Sequence, residues 1–129
     1  MKRAIATTGA PQAIGPYAQA VAAGEWLFCS GQIGLDPTTG QLVSGGVMAE
    51  AEQVLANLAA VLQAAGGSLD DVVRTTIYLV DLGDFTRVNE LYAARFHQPF
   101  PARATVGVAA LPRGARVEID AIALVRVES

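Results

Sequence analysis

Two charged residues sit where strand-forming neighbours are small or apolar. They are Arg103 in Ala102-Arg103-Ala104-Thr105-Val106 and Glu118 in Val117-Glu118-Ile119. A partly buried charge is costly unless it is paired or holds a ligand. Two readings follow and stay open at this point. The pair could form an ion bridge joining two strands. Alternatively, Arg103 receives a carboxylate, since a guanidinium holds a planar anion through two parallel hydrogen bonds and an ammonium does not. Lys2 is the only lysine, so anion recognition falls to arginine in any case. Glu118 would then be the acid/base group at the reacting carbon. Thr105 lies two residues beyond Arg103 and shares its strand face. Asp120 stands in the same relation to Glu118.

Other positions read more plainly as structure. Tyr17 follows Gly-Pro in a loop and reads as a packing residue. Gly31, in Ser30-Gly31-Gln32, permits close backbone approach to a ligand, but the segment also reads as a turn leaving a sheet. Asn89 reads as a helix surface residue, and His97 as a helix C-terminal residue. Arg113 and Arg116 flank a Pro-Gly turn and read as solvated. Cys29, in an apolar run, reads as an inert core thiol.

Composition removes several chemistries. One cysteine excludes an internal disulfide and a cysteine-based zinc site; one histidine excludes histidine clusters. A pI of about 5.0 and a net charge of −3 argue against a general nucleic-acid binder. No run approaches the roughly 18 apolar residues of a membrane span. Lys2 and Arg3 could open a signal peptide, but Gly9, Pro11, Gly15 and Pro16 follow where an apolar segment is required. The expectation is a cytoplasmic protein with one domain over residues 1–129.

The elements that must position these residues follow from periodicity. Residues 2–7 form a short strand, and 9–17 a loop broken by prolines and glycines. Residues 18–23 and 25–33 form a hairpin around Gly24. Residues 34–46 are a loop. Val47, Ala51, Val54, Leu55, Leu58, Val61 and Leu62 mark one face of a helix over 47–65, with Glu50, Gln53, Asn57 and Gln63 on the other side. Gly66 and Gly67 stop it. In a strand over 72–80, Val73, Thr75, Ile77 and Leu79 face one way. Asp84 is an N-cap for a second helix striped by Phe85, Val88, Leu91, Tyr92 and Phe96. Strands over 102–109 and 116–127 close the chain.

Two amphipathic helices cover one face of a mixed sheet. Yet the last strand is apolar on both faces: Val117, Ile119, Ala121, Ala123, Val125 and Val127 on one, Ile122 and Leu124 on the other. Charge is also scarce, at 16% of residues, and although 24 of the apolar 52% are alanines, the excess needs a place. A bare apolar sheet face predicts burial against another subunit.

These residues resemble the RidA/YjgF family. The likeness is carried by Phe100-Pro101-Ala102-Arg103-Ala104-Thr105-Val106, Leu111-Pro112 and Val117-Glu118-Ile119-Asp120-Ala121-Ile122-Ala123. Ala13-Ile14-Gly15-Pro16-Tyr17, Ser30-Gly31-Gln32-Ile33, Asp84-Phe85 and Val88-Asn89 add to it. The resemblance spans nearly the whole chain in order. It implies an α+β fold of the chorismate-mutase-like kind: a mixed sheet with two helices on one face, assembled as a homotrimer with sites between subunits. It implies hydrolysis of 2-imino acids and their enamine tautomers to 2-keto acids and ammonia, without metal or cofactor. Arg103 matches the carboxylate-holding arginine and Glu118 the glutamate that places water. Tyr17, Ser30, Gly31 and Asn89 match pocket positions. Thr105 matches a position often held by cysteine in the family, so a thiol there is not required if this chain is active. The competing expectations are a non-catalytic module for small carboxylates, a ribonuclease, and chorismate-mutase chemistry by fold analogy alone. An acidic chain with one histidine supports the ribonuclease poorly.

Overall fold

The alternation in the last strand fixes the centre of the molecule. In the computed structural model, which describes residues 1–125, that strand is β6 (Val117–Leu124), and its odd-numbered residues are buried to Val125. Val127 lies outside the described residues. The strands before it are β1 (Lys2–Ile5), β2 (Ala20–Ala23), β3 (Trp26–Gln32), β4 (Val72–Leu79) and β5 (Ala102–Gly107). They form one sheet in the order β1-β2-β3-β6-β4-β5, in which only β4 and β5 run parallel.

Helix α1 (Val47–Ala64) connects β3 to β4, and α2 (Phe85–Arg95) connects β4 to β5. The stripe Val54, Leu58, Val61 and Leu62 is wholly buried beside Leu27, Ile77, Leu79, Val117 and Ile119 of the sheet. Gly66 ends α1 with φ at 91°, which a residue with a Cβ adopts only under strain. Its amide donates to Gln63 O, and that of Gly67 donates to Leu62 O. These two bonds satisfy carbonyls the helix leaves open.

Among the described residues no helix covers the opposite sheet face. There Trp26 and Phe28 are each 47% exposed, and Val106 and Leu124 each 41%. The expected bare apolar face is therefore present on the protomer.

Three expectations need correction, and one of two open readings is decided. Glu50 and Asn57 are buried, not solvated: the loop after β3 folds over their side of α1. Asn57 Nδ2 donates to Ile33 O (3.3 Å) and Leu35 O (3.0 Å), while Glu50 Oε1 accepts from Arg116 N at 2.7 Å. Val73 is exposed and Val72 takes its place in the core, because the β4–β6 register shifts between Val72 and Arg74. Asp84 makes no capping bond; Asp81 Oδ1 accepts from Gly83 N at 2.8 Å and starts a short 3₁₀ turn that runs into α2. Arg103 and Glu118 do not pair, for a reason that lies in the register.

Candidate functional site

On the ladder, Arg103 stands opposite Thr75, and Glu118 stands opposite Tyr78, both on β4. Thr75 and Tyr78 are three residues apart. Strand side chains alternate, so an odd spacing sends the two to opposite faces. Thr75 is fully buried beneath α2, which puts Arg103 on the helix side. Glu118 is on the bare side, with β4 between their two strands. The ion-pair reading is thereby removed.

The Arg103 half of the site is built by β5 and α2. β5 is an edge strand, so the guanidinium stays partly open to solvent. It lies over the ring of Tyr92, 4.9 Å from the centroid, and over that of Phe85, at 5.5 Å. Asn89, Tyr92, Ala93, Phe100, Pro101 and Arg103 line a recess of about 410 Å³. Among the described residues Arg103 forms no salt bridge: the carboxylates that do pair are Glu52, with Arg95, and Asp70, with His97. Thr105 shares this face, opposite Ile77.

The Glu118 half is built by β6, the end of β3 and the N-terminal loop. Glu118, Gly31, Tyr17, Gln19 and Arg113 are among the residues around a second recess of about 200 Å³. Gly31 leaves the space that the Glu118 carboxyl occupies, so a side chain there would displace the carboxyl. A Cβ at that position would fall on Glu118 Oε2 and come within 2.9 Å of its carboxyl carbon. Burial raises the Glu118 pKa above its ordinary 4.5, and the nearby Asp120 charge raises it further. Asp120 Oδ2 in turn accepts from the Tyr78 hydroxyl at 2.9 Å. Ser30 adjoins Gly31, its hydroxyl donating to Ala18 O at 2.6 Å. Tyr17 is exposed at the mouth.

The structure thus gathers the expected residues into two groups. Arg103, Asn89 and Thr105 form one; Tyr17, Ser30, Gly31 and Glu118 form the other. One protomer does not bring the groups together. A larger groove of about 730 Å³, along residues 4–19 and Pro37, touches Tyr17, but among the described residues it is lined by no acid, histidine or cation. Cys29 fits an inert thiol: it is buried, and burial with the Asp120 charge pushes its pKa up to about 12. His97 lines a different recess, with Asp70 and Arg95.

Sequence reasoning missed four contributors. Periodicity places Phe85 and Tyr92 in the helix stripe alone, and the Pro-Gly turn marks Arg113 as a solvated residue. Arg113 has φ at 63°, and its Nη2 donates to Gly40 O at 3.1 Å, joining two loops beside Glu118. Gln19 was not singled out. It is buried, and its amide holds the N-terminal loop: Oε1 accepts from Thr7 N (2.7 Å), and Nε2 donates to Thr7 O (3.0 Å), Ala10 O (3.3 Å) and Pro11 O (2.8 Å). The only sequence signal was an amide among alanines at a strand start. Gln19→Ala should lower stability by roughly 1–3 kcal/mol, because it leaves partly buried backbone groups of Thr7, Ala10 and Pro11 without their partner. Urea unfolding measures this, and an unchanged midpoint would count against it.

Comparison with known proteins identifies the family and the fold. A family model described as Endoribonuclease L-PSP matches residues 7–125. A mouse (Mus musculus) protein named 2-iminobutanoate/2-iminopropanoate deaminase is 55% identical over 124 residues, covering 96% of this chain and 92% of its own. The crystal structure of RidA from the Antarctic bacterium Psychrobacter sp. PAMC 21119 superposes with a TM-score of 0.92 at 49% identity, covering 95% of this chain and 99% of that one. TdcF of E. coli, solved with bound serine, gives 0.88 at 39%, covering 95% and 98%. With a match of this extent and identity, the chain belongs to the Endoribonuclease L-PSP family, the RidA/YjgF proteins.

Proposed function

We propose that this protein is a 2-iminobutanoate/2-iminopropanoate deaminase, working as a homotrimer with its site between two copies. The observation that carries the intersubunit site is the opposed placement of Arg103 and Glu118. A substrate small enough to span them needs the Arg103 rim of one copy brought against the Glu118 face of another. The bare apolar face around Trp26, Phe28 and Leu124 supplies the burial for that contact. The mouse relative's name supports the substrate class, and the serine bound to TdcF supports a pocket for a small amino-acid-like molecule.

In this reading Arg103 holds the substrate carboxylate and thereby fixes C2. Glu118, as carboxylate, takes a proton from a water molecule as that water attacks C2 of the protonated imine. Glu118 returns that proton to the nitrogen of the resulting amino alcohol and then takes up the hydroxyl proton as the C=O bond forms and the C–N bond breaks, so that ammonia leaves with a 2-keto acid and carries the last proton away as ammonium. An iminium is already a strong electrophile, so positioning and base catalysis suffice. The backbone at Thr105 and the Asn89 side chain line the approach, Ser30 and Gly31 shape the floor, and Tyr17 closes the mouth. The ribonuclease implied by the family's descriptive name has weaker support: His97 stands apart from both recesses, paired with Asp70 at 2.9 Å. Among the described residues no helix is long and apolar enough to cross a membrane.

The test is direct. Generate 2-iminobutanoate in situ with an amino-acid oxidase and follow keto acid release. Acceleration by pure protein over buffer is expected; none would end the deaminase reading. Native mass should be about 40 kDa, three times the 13.4 kDa chain, and about 13 kDa would end the trimer.

A further inference from the structure

We propose that Phe85 and Tyr92 are positioning residues for Arg103, holding its guanidinium by their ring faces so that its hydrogen-bond donors stay available to a substrate carboxylate. The inference rests on the carboxylate-clamp reading of Arg103 and deepens it.

Four observations carry it. Arg103 Cζ lies over both rings, 4.9 Å from the Tyr92 centroid and 5.5 Å from that of Phe85. Among the described residues no carboxylate reaches Arg103 within salt-bridge distance. Tyr92 is itself fixed: its hydroxyl shares a 2.7 Å hydrogen bond with the fully buried Thr75, and its ring stacks on Phe96 at 4.3 Å. Thr75 is also the ladder partner of Arg103, so one β4 residue sets both the strand and the ring that meet at the cation.

The chemistry of this arrangement differs from that of an ion pair. A carboxylate neighbour would hold the arginine equally well, but it would occupy the donors and cancel the charge. An aromatic face attracts the cation through its quadrupole and accepts little of its hydrogen bonding. The guanidinium is thereby ordered before substrate arrives, and less side-chain freedom is lost on binding. The two rings also keep water from one side of the charge, which strengthens its attraction for an anion. Phe85 is part of this set although it is more than a third exposed, a poor position for a residue serving only the core.

The consequence is confined to binding of the carboxylate. Steady-state rates with 2-iminobutanoate should show KM raised roughly 3- to 10-fold in Phe85→Leu, with kcat within about 2-fold of wild type. Phe85→Tyr, which keeps the ring, should recover most of that loss. A purely structural role would not produce a KM effect that follows the ring. An unchanged KM in Phe85→Leu, or equal losses in the leucine and tyrosine variants, would overturn the proposal. Arg103→Ala is measured alongside. If it too keeps the wild-type KM, the failure lies with the clamp reading; if it is inactive while Phe85→Leu is normal, only the positioning role fails. Should Phe85→Leu lose its native mass, Tyr92→Phe and Tyr92→Met decide in the same way. The proposal stands if the ring-keeping variant has the lower KM and falls if the two are alike.

Discussion

Arg103→Ala is expected to lower kcat/KM for 2-iminobutanoate by roughly 10²- to 10³-fold, the usual cost of removing one partner of a desolvated charge pair. The loss has two sources. The substrate carboxylate loses a two-point contact, which raises KM. C2 also loses its fixed position relative to the attacking water, which lowers kcat. The first effect responds to the shape of the donor, so Arg103→Lys should restore charge but little affinity. Aromatic packing at α2 does not depend on the guanidinium, since Tyr92 is held by Thr75 and Phe96. The variant should therefore keep its native mass and thermal midpoint. Initial rates over a range of imine concentration check the prediction, and wild-type KM with wild-type kcat would remove the clamp.

Glu118→Gln is expected to lower kcat by about 10²- to 10⁴-fold, the span of general base catalysis, with a smaller change in KM. Glutamine keeps the volume that packs over Gly31 and loses only the basic oxygen. The pH profile gives an independent check. Burial, and secondarily Asp120, holds the Glu118 pKa above its ordinary 4.5. The active form is the carboxylate, which is present above that pKa and lost as pH falls through it. The acid limb of kcat/KM should therefore lie above pH 4.5. Asp120→Asn, which removes a neighbouring negative charge, should move the limb to lower pH. An acid limb that persists in Glu118→Gln would assign it to another group.

Much of this arrangement was legible in the sequence. The alternation of Val117, Ile119 and Ala121 gave the central strand, the spacing from Val54 to Leu62 gave the helix that covers it, and Ile122 and Leu124 marked the uncovered face. What escaped depended on contacts between distant segments. Glu50 and Asn57 flank the apolar stripe of α1, and nothing local says that the loop after β3 will cover them. Val73 was displaced by a register shift that alternation within one strand does not reveal. Gln19 and Arg113 act by tying loops to one another. The largest gap concerned the site. Arg103 and Glu118 each stood out as strand charges, and Thr105 was correctly placed beside Arg103. Their facing on opposite sides of the sheet needed the pairing of both strands with β4, where Thr75 and Tyr78 set the parity.

That parity makes the central claim testable in one measurement. Arg103→Ala and Glu118→Gln, each strongly impaired alone, are unfolded together, refolded as a mixture and assayed with 2-iminobutanoate. If each site takes Arg103 from one copy and Glu118 from another, the mixture regains activity. With equal amounts mixed at random, about one site in four would hold both native residues. Native mass spectrometry establishes that mixed assemblies have formed. Recovery toward a quarter of wild-type activity is the expected result. Mixed assemblies that remain as inactive as either parent would contradict a site shared between subunits.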